Sequence, residues 1–306
     1  MEVSCAALIL ALANPAGGGS YTLTSDCPSR QGGPALVIRQ VFRKTVTIQA
    51  HGRVIKGMLI DGGGNIAWNG GRIEAPAGSG EDPKQSGAQY YGVQIKGQSR
   101  SIAFDGVGFT NARKAIVFSG PAQGLTVRNS RCDGNVEDCL IASGGQDIVF
   151  THNVAGPFVT KPSLCVVGAF TFDRLPKRDC LARSGEWRSG WHSDVLQLRN
   201  GVSNVLVADN VINTTGQGLT QMDKPTDAPI RAVRFTNNRI QAGRHGLTLG
   251  RCVDCLIDQN ELKTSMGHLK WKAVIIPGQA RACGNTVPSG GAGRESCRSV
   301  SATRPS

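Results

Sequence analysis

The fold is indicated by residues 192–223, which read HSDVLQLRNGVSNVLVADNVINTTGQGLTQMD. Three short runs in this stretch are rich in alternating apolar residues and are separated by Gly, Asn and Ser, namely residues 195–198, 205–207 and 219–222. Such alternation between turn residues is typical of β-strands and leaves no room for a helix. Polar residues that no core requires lie at the ends of the first and last runs, namely His192, Asp194 and Asp223. The same stretch therefore indicates both strands and a candidate site.

An internal repeat runs along the chain. Asp or Asn closes one apolar segment after another, at Asp105, Asn129, Asn153, Asn210, Asn238 and Asn260, with intervals of 24, 24, 57, 28 and 22 residues. A period of about 23 residues, broken by one insertion, indicates a repeat protein. A unit of this size with two or three strands and no helix predicts one turn of a parallel β-helix. We expect the asparagines to be structural, because their amides can bond the Asn above and below.

Composition supports an all-β chain. The 306 residues include 40 Gly and only 5% aromatic residues, which suits a protein rich in turns. Length alone would favour two domains, but a solenoid can use the whole length as one. We predict a single β-helix domain over residues 1–288 and a C-terminal tail over 289–306, with a surface loop at 76–90 and a larger inserted loop at about 156–191.

The N-terminal residues predict a short helix over residues 3–14. Glu2 and the lack of a basic segment argue against a signal peptide. The apolar helix, the glycine turn at 17–19 and the first strand at 21–24 resemble the start of right-handed parallel β-helix proteins of the pectate-lyase-like superfamily. The resemblance covers residues 4 to 287. It implies a right-handed, single-stranded solenoid whose first edge is covered by the capping helix.

The net charge limits the classes of binding partner, and the cysteines indicate the cellular compartment. The formal net charge of +12 favours polyanions, which include acidic polysaccharides, nucleic acids and anionic membranes. The ten cysteines fall into neighbouring pairs, at 5 and 27, 132 and 139, 165 and 180, 252 and 255, and 283 and 297. Disulfides in a secreted or periplasmic protein fit this pattern, with buried thiols as the alternative and zinc disfavoured. A nucleic-acid partner is not expected there, and no apolar run is long enough for a membrane span.

Stacking of coils predicts where a site could form. Residues just before the middle strand of each unit would share a column that holds Asp138, Asp194, Gly218 and Gly246, with His192, Arg244 and His245 beside it. Residues just after the same strand include Arg199, Asp223, Lys224 and Arg251. The insertion adds Trp187, Arg188 and Trp191, whose rings and charge suit binding of sugars. Acidic and basic groups are therefore expected to flank one face.

Two reactions fit these residues. A uronate lyase needs a base for the C5 proton and a cation for the developing charge, roles that His192, His245, Lys224, Arg199 and Arg244 could fill. A hydrolase needs paired carboxylates, for which Asp138, Asp194 and Asp223 are candidates. We expect no cofactor; calcium is an alternative without a dense Asp cluster to support it.

Two short motifs resemble those of polygalacturonases. Glu137-Asp138-Cys139 resembles their Asp-Asp-Cys, and Arg244-His245-Gly246 resembles their Gly-His-Gly. Glu replaces the first Asp, Asn111-Ala-Arg stands where Asn-Thr-Asp would be, and several coils separate the motifs, so polygalacturonase identity is not predicted. The lead hypothesis is a lyase acting on an acidic polysaccharide. A hydrolase, or a non-catalytic binding or adhesion β-helix in which these residues only stabilise turns, remains open.

Overall fold

The computed structural model describes residues 1–14, 18–30, 33–76, 91–134, 137–158, 164–168, 170–173, 177–188, 194–221, 226–243, 245–264, 274–276 and 279–287. Its architecture is an all-β parallel solenoid of about nine turns. Each full turn gives one strand to each of three sheets, and every strand pairs in parallel with its counterpart one turn away. The repeat predicted from the sequence is therefore a coil of stacked strands.

Three parallel sheets form the walls. Sheet 1 has twelve strands: β1 (Glu2–Val3), β2 (Gly19–Leu23), β4 (Val41–Gln49), β7 (Gly64–Asn69), β10 (Arg100–Asp105), β13 (Gln123–Arg128), β16 (Gln146–Thr151), β22 (Ser203–Ala208), β25 (Ile230–Thr236), β28 (Cys252–Val253), β29 (Leu256–Asp258) and β32 (Arg281–Cys283). Sheet 2 has eight: β5 (Val54–Lys56), β8 (Arg72–Glu74), β11 (Gly108–Thr110), β14 (Arg131–Cys132), β17 (Val154–Phe158), β23 (Val211–Thr214), β26 (Arg239–Ala242) and β30 (Glu261–Thr264). Sheet 3 has nine: β3 (Leu36–Ile38), β6 (Met58–Asp61), β9 (Tyr91–Lys96), β12 (Lys114–Ser119), β15 (Asp138–Ser143), β21 (Asp194–Arg199), β24 (Gln217–Gln221), β27 (His245–Thr248) and β31 (Val274–Ile276).

The core fills the space between the sheets with columns of apolar side chains. One column in sheet 1 alternates aromatic and aliphatic residues in direct register: Phe104, Val127, Phe150, Val207, Phe235 and Ile257. All six are buried. Burial of each large apolar side chain contributes roughly 1.5–3 kcal/mol, so these columns are a major source of the stability of the coil.

An asparagine ladder stabilises the turn between sheets 1 and 2. Asn153, Asn210, Asn238, Asn260 and Asn285 are buried, and the side-chain amide of each of the first four donates to the carbonyl oxygen of the next asparagine side chain at 2.9–3.1 Å. Each amide also donates to a backbone carbonyl of the preceding strand, as Asn210 does to Phe150 at 2.9 Å. The structural role expected for Asn153, Asn210, Asn238 and Asn260 is confirmed.

The ladder differs from the sequence prediction at both ends. Asn129 was expected in it, but Asn129 adopts the left-handed backbone (φ 50°) one residue earlier, and Ser130 occupies the ladder position, where its N–H donates to Asn153 Oδ1. Asp105 also lies outside the ladder and accepts a bond from Asn129 Nδ2. Asn285 extends the ladder by one coil that the repeat count omitted.

We expect Asn210→Ala to lower the free energy of unfolding by about 3 kcal/mol, because it leaves the backbone N–H of Asn153 and the carbonyl of Phe150 without their partner in a dry interior. Asn213→Ala is the matched control, since Asn213 is exposed in the next strand; its effect should be within about 0.5 kcal/mol. Urea denaturation measures both. Equal effects would show that the ladder adds no stability of its own.

The N-terminal helix is shorter than predicted. Helix α1 spans Cys5–Leu12, whereas the prediction was 3–14. Val3 pairs with Leu23 as a strand, and the Ser4 side chain caps the helix by accepting the N–H of Ala7 at 3.3 Å, so the helix starts at Cys5. Cys5, Leu8 and Leu12 are buried, and a disulfide joins Cys5 to Cys27.

The insertion has secondary structure that the prediction of a loop missed. It lies between Phe158 at the end of β17 and Asp194 at the start of β21, and it contains β18 (Leu164–Val167), β19 (Phe170–Asp173), α2 (Lys177–Ala182) and β20 (Glu186–Arg188). The three strands form an antiparallel sheet with β18 in the middle. Strands of three or four residues give too little alternation to be recognised from sequence.

Disulfides follow the predicted neighbours. Within the described part of the chain, bonds join Cys5 to Cys27, Cys132 to Cys139, Cys165 to Cys180 and Cys252 to Cys255. Cys283 is also disulfide-bonded, and its expected partner, Cys297, lies outside the described residues. These bonds fit an oxidising compartment. None of the described helices has the length and apolar character needed to span a membrane.

Candidate functional site

A row of polar residues begins the strands of sheet 3. Tyr91 pairs with Lys114, Lys114 with Asp138, and Asp194 with Gln217. The pairing of Leu140 with Leu196 places Asp138 beside Asp194. Adjacent parallel strands lie about 4.8 Å apart, so neighbouring members of this row can interact directly.

The predicted column was one residue out of register at its far end. It placed Gly218 and Gly246 beside Asp194, whereas the structure aligns Gln217 with Asp194, and pairing of Leu219 with Leu247 puts His245 next in the row. A Cβ on Gly218 would lie 2.2 Å from the carbonyl oxygen of Gly246, so the two backbones approach too closely there for a side chain. Gly218 is therefore a packing residue.

Asp138 and Asp194 are joined through one amide. Gln197 Nε2 donates to Asp138 Oδ1 at 3.2 Å and to Asp194 Oδ2 at 2.7 Å. The two carboxyl groups are almost completely buried, with 1% and 0% of each residue exposed. Because both oxygens contact the same nitrogen, they are no more than about 6 Å apart, close enough for the two carboxyl groups to affect each other's ionisation.

Cations approach the pair from one side. Lys114 Nζ lies 3.4 Å from Asp138 Oδ2 and 3.7 Å from Glu137 Oε2, and Arg113 Nη2 donates to Glu137 Oε1 at 2.6 Å. The side chains of Lys114 and Arg113 are 20% and 26% exposed, far more than the carboxyl groups behind them. Lys114 and Arg113 are therefore the most solvent-accessible charged groups among Arg113, Lys114, Glu137 and Asp138.

The pKa of Asp138 is raised to about 7. Burial is the largest cause, because a charged carboxylate loses its hydration there. The Lys114 ammonium acts in the opposite direction, and the nearby carboxylates of Asp194 and Glu137 raise the pKa further. Asp138 thus exchanges a proton near neutral pH, which is typical of functional sites.

A disulfide and two backbone hydrogen bonds position Glu137 and Asp138. The disulfide between Cys132 in β14 and Cys139 in β15 closes the turn that carries both acids. The N–H groups of Glu137 and Asp138 both donate to the carbonyl of Arg113, at 3.0 and 3.2 Å. The turn is thus attached to the coil below it, and the acids are held against Lys114.

Arg199 and Arg251 lie away from this pair. Arg199 is exposed at the far end of β21, about 16 Å along the strand from Asp194. Arg251 is exposed and donates to the carbonyl of Asp227 at 2.6 Å. The structure therefore does not bring these two predicted substrate-binding residues to the carboxyl cluster.

The other predicted residues fall wholly or partly outside the described parts. His192, Asp223, Lys224, Arg244 and Trp191 lie outside them. For His245 in β27 and for Trp187 and Arg188 in β20, the backbone is described and the side chains are not. Their roles stay predictions.

Lys114, Glu137, Gln197 and Arg113 were missed as site residues. Gln197 looked like an ordinary strand position, and only its register with the carboxyl row places its amide between the two acids. Lys114 carried a usable signal, since it occupies the same place before its strand as Asp138 and Asp194 do. Among the described residues, no three His, Cys, Asp or Glu side chains are placed to hold a metal ion.

No family model and no curated protein sequence matches the chain. Solved structures do match. An alginate lyase from a Paenibacillus species is 13% identical with a TM-score of 0.56, over 93% of this chain and 94% of that one. PfbA, a surface adhesin of Streptococcus pneumoniae, is 12% identical with a TM-score of 0.53, over 87% of this chain and 68% of that one. At these identities the likeness shows the fold, a parallel β-helix.

Proposed function

We propose that this chain is an enzyme that cleaves an acidic, uronate-containing polysaccharide by β-elimination, with its site at Lys114, Asp138, Asp194 and Gln197. The observation that carries the proposal is the buried Asp138 carboxyl, with its raised pKa, 3.4 Å from the partly exposed Lys114 ammonium. The structural likeness to an alginate lyase is consistent with a polysaccharide substrate.

The protonation state of Asp138 determines the net charge of the cluster to which a substrate would bind. When Asp138 is neutral, the cations Arg113 and Lys114 are balanced by Glu137 and Asp194 alone. Lys114 is then available to bind the carboxylate of a uronate. When Asp138 ionises, the cluster has an excess negative charge, which repels that carboxylate.

Binding of the uronate carboxylate prepares the reaction. A cation on this group stabilises the negative charge that develops when the C5 proton leaves, and this lowers the barrier. A general base then removes the proton, the C4–O bond breaks as the C4–C5 double bond forms, and the leaving oxygen takes a proton from the protonated base or from water. We assign the base role to His192, His245 or Lys224, and charge stabilisation to Lys114 and Arg244. Trp187, Arg188, Trp191, Arg199 and Arg251 would bind neighbouring sugars.

A glycoside hydrolase is the second candidate, favoured by the spacing of the carboxyl groups. Oxygens of Asp138 and Asp194 that lie no more than about 6 Å apart suit a retaining enzyme, in which the carboxyls are about 5–5.5 Å apart. Asp138, with its raised pKa, would be the acid, and Asp194 or Asp223 would be the nucleophile. A non-catalytic binding role is the third.

The remaining proposals concern the whole chain. Crossovers between parallel strands are right-handed in nearly all proteins, so we propose a right-handed coil over residues 1–288. Helix α1 would cover its first edge. The disulfides support secretion or a periplasmic location. An acidic polysaccharide is the proposed partner, without a nucleic acid, a membrane or a cofactor, and calcium remains the alternative.

One assay separates the candidate functions. The protein is incubated with sodium alginate, polygalacturonate and hyaluronate, each with added calcium and with a chelator. We expect new ultraviolet absorbance from the unsaturated product of elimination with one of them. Reducing ends without absorbance would replace the lyase with a hydrolase, and retention on the polymer without either product would leave only a binding protein. Loss of activity with the chelator would assign a role to calcium.

A further inference from the structure

The insertion between β17 and β21 has a small interior of its own. Cys165 and Cys180 form a disulfide, and both are 0% exposed. Gly185 packs against them so closely that a Cβ there would lie 2.8 Å from Val167 Cγ2 and 2.9 Å from Cys165 Sγ. A side chain at position 185 would therefore not fit in this interior.

Two large apolar side chains of the insertion remain outside that interior. Phe170 is 70% exposed and Leu181 is 55% exposed. Phe170 pairs with Val167 across the turn that begins at Gly168 (φ 57°), so it lies at the tip of the β18–β19 hairpin. Among the large hydrophobic residues found exposed in the described chain, Phe170 is the one aromatic. Neither side chain contributes to the closed core.

Positive charge accompanies these apolar groups. Arg178 lies three residues before Leu181 on α2, which puts the two on one helix face; its side chain is 95% exposed, and its Nε donates to Asp179 Oδ1 at 3.4 Å. By sequence, the insertion of about 156–191 has six Lys and Arg against three Asp and Glu. An aromatic ring stacks on the apolar face of a sugar, and the cations suit its carboxylates, so the chemistry matches an acidic polysaccharide.

The insertion is attached next to the carboxyl cluster. Arg188 ends β20 and Asp194 begins β21, and the six peptide units between them span at most about 22 Å. Phe170 lies at the other end of β18 from Arg188, so a polymer held there is tethered within a few sugar lengths of Asp138 and Asp194. Such tethering raises the local concentration of cleavable bonds without any new contact at the reacting sugar.

We propose that the disulfide-closed insertion is a second, non-catalytic binding site for the acidic polysaccharide, with Phe170 as the stacking platform and Leu181 and Arg178 as its flank. This inference rests on the proposed function for the class of polymer, since the insertion would hold the chain that the carboxyl cluster cleaves.

The test compares Phe170→Ala with wild type in two measurements. In affinity electrophoresis through gels containing alginate, polygalacturonate or hyaluronate, the dissociation constant should rise about tenfold for the polymer that retards the wild type, because the variant removes the ring on which the sugar face stacks. In kinetics, the ratio of kcat/KM on the polymer to kcat/KM on its trisaccharide should fall about tenfold. Val154→Ala is the matched control, an exposed apolar residue of sheet 2 that is 40% exposed, and it should change neither value.

The outcomes separate this inference from the proposed function. Unchanged binding and an unchanged ratio in Phe170→Ala would overturn the inference while the lyase activity stood. Loss of binding by Phe170→Ala in a protein that cleaves none of the polymers would support the second site and reject the proposed function. A changed sedimentation coefficient in Phe170→Ala would show that Phe170 is a contact between copies of the chain. If no polymer retarded the wild type, Phe170 would be a surface residue without a ligand. Either result would make the inference wrong.

Discussion

Asp194→Asn is expected to reduce kcat/KM on the polysaccharide by up to about a thousandfold, which is the order that one group stabilising developing charge contributes. The Asp194 carboxylate accepts the 2.7 Å hydrogen bond from Gln197 and follows His192 by two residues. In the proposed elimination its negative charge stabilises the protonated base after the C5 proton is removed. In a hydrolase it would be the nucleophile, and its loss would be at least as severe.

Stability provides the control for this variant. Asn keeps the shape of Asp and retains one oxygen that can accept from Gln197, so the melting temperature should change by only a few degrees. Asp105→Asn is the matched variant, an aspartate on sheet 1 that pairs with Arg128, and it should keep full activity. If Asp194→Asn unfolds easily while each folded molecule turns over normally, Asp194 only stabilises the fold.

Most of the architecture could be predicted because a solenoid repeats its own signals. Each of these turns has a residue with left-handed backbone, such as Asp209 or Asn237, followed by a buried amide that links coils, such as Asn210 or Asn238, so the pattern reappears at the period of the fold. The strand around Val211 was missed, since β23 has only four residues and follows a turn that resembled a connection. Local cysteine pairing also followed from sequence, because coils place neighbours in the chain close together.

The sequence predicted residues of the candidate site only where the register between neighbouring strands followed directly from the repeat. Asp138 and Asp194 stood in equivalent places before apolar strands, and the structure brings them together. Gln197 could not be found in this way, because its function depends on which acid lies beside it across two strands. The same limit produced the error at Gly218: a one-residue shift exchanges the residues of a column completely. Antiparallel pairing inside the insertion likewise depends on contacts that no local pattern reveals.

The second large effect expected is on the pH dependence of the free energy of unfolding, and it arises from the titration of Asp138. Its pKa is about 7 in the folded protein and near the ordinary 3.8 when unfolded. A raised pKa means that the folded state holds the proton more tightly, so this stabilisation is complete below about pH 4 and is lost as the pH rises to about 7. The difference corresponds to on the order of 4 kcal/mol. Asp138→Asn cannot ionise, so its unfolding free energy should lack this decline when both proteins are measured by urea denaturation from pH 4 to 8.

Activity in the same two proteins distinguishes the two reactions. In the proposed lyase, kcat/KM falls as the pH rises through about 7 because ionised Asp138 adds negative charge beside Lys114. Asp138→Asn imitates the neutral carboxyl, so it should stay active and lose this alkaline decline. Lys114→Met should retain the decline but shift it to higher pH, because the ammonium lowers the pKa of Asp138, while KM rises through loss of the cation that binds the uronate. A hydrolase that uses Asp138 as its acid would instead be inactive as Asp138→Asn at every pH, and that result would reject elimination.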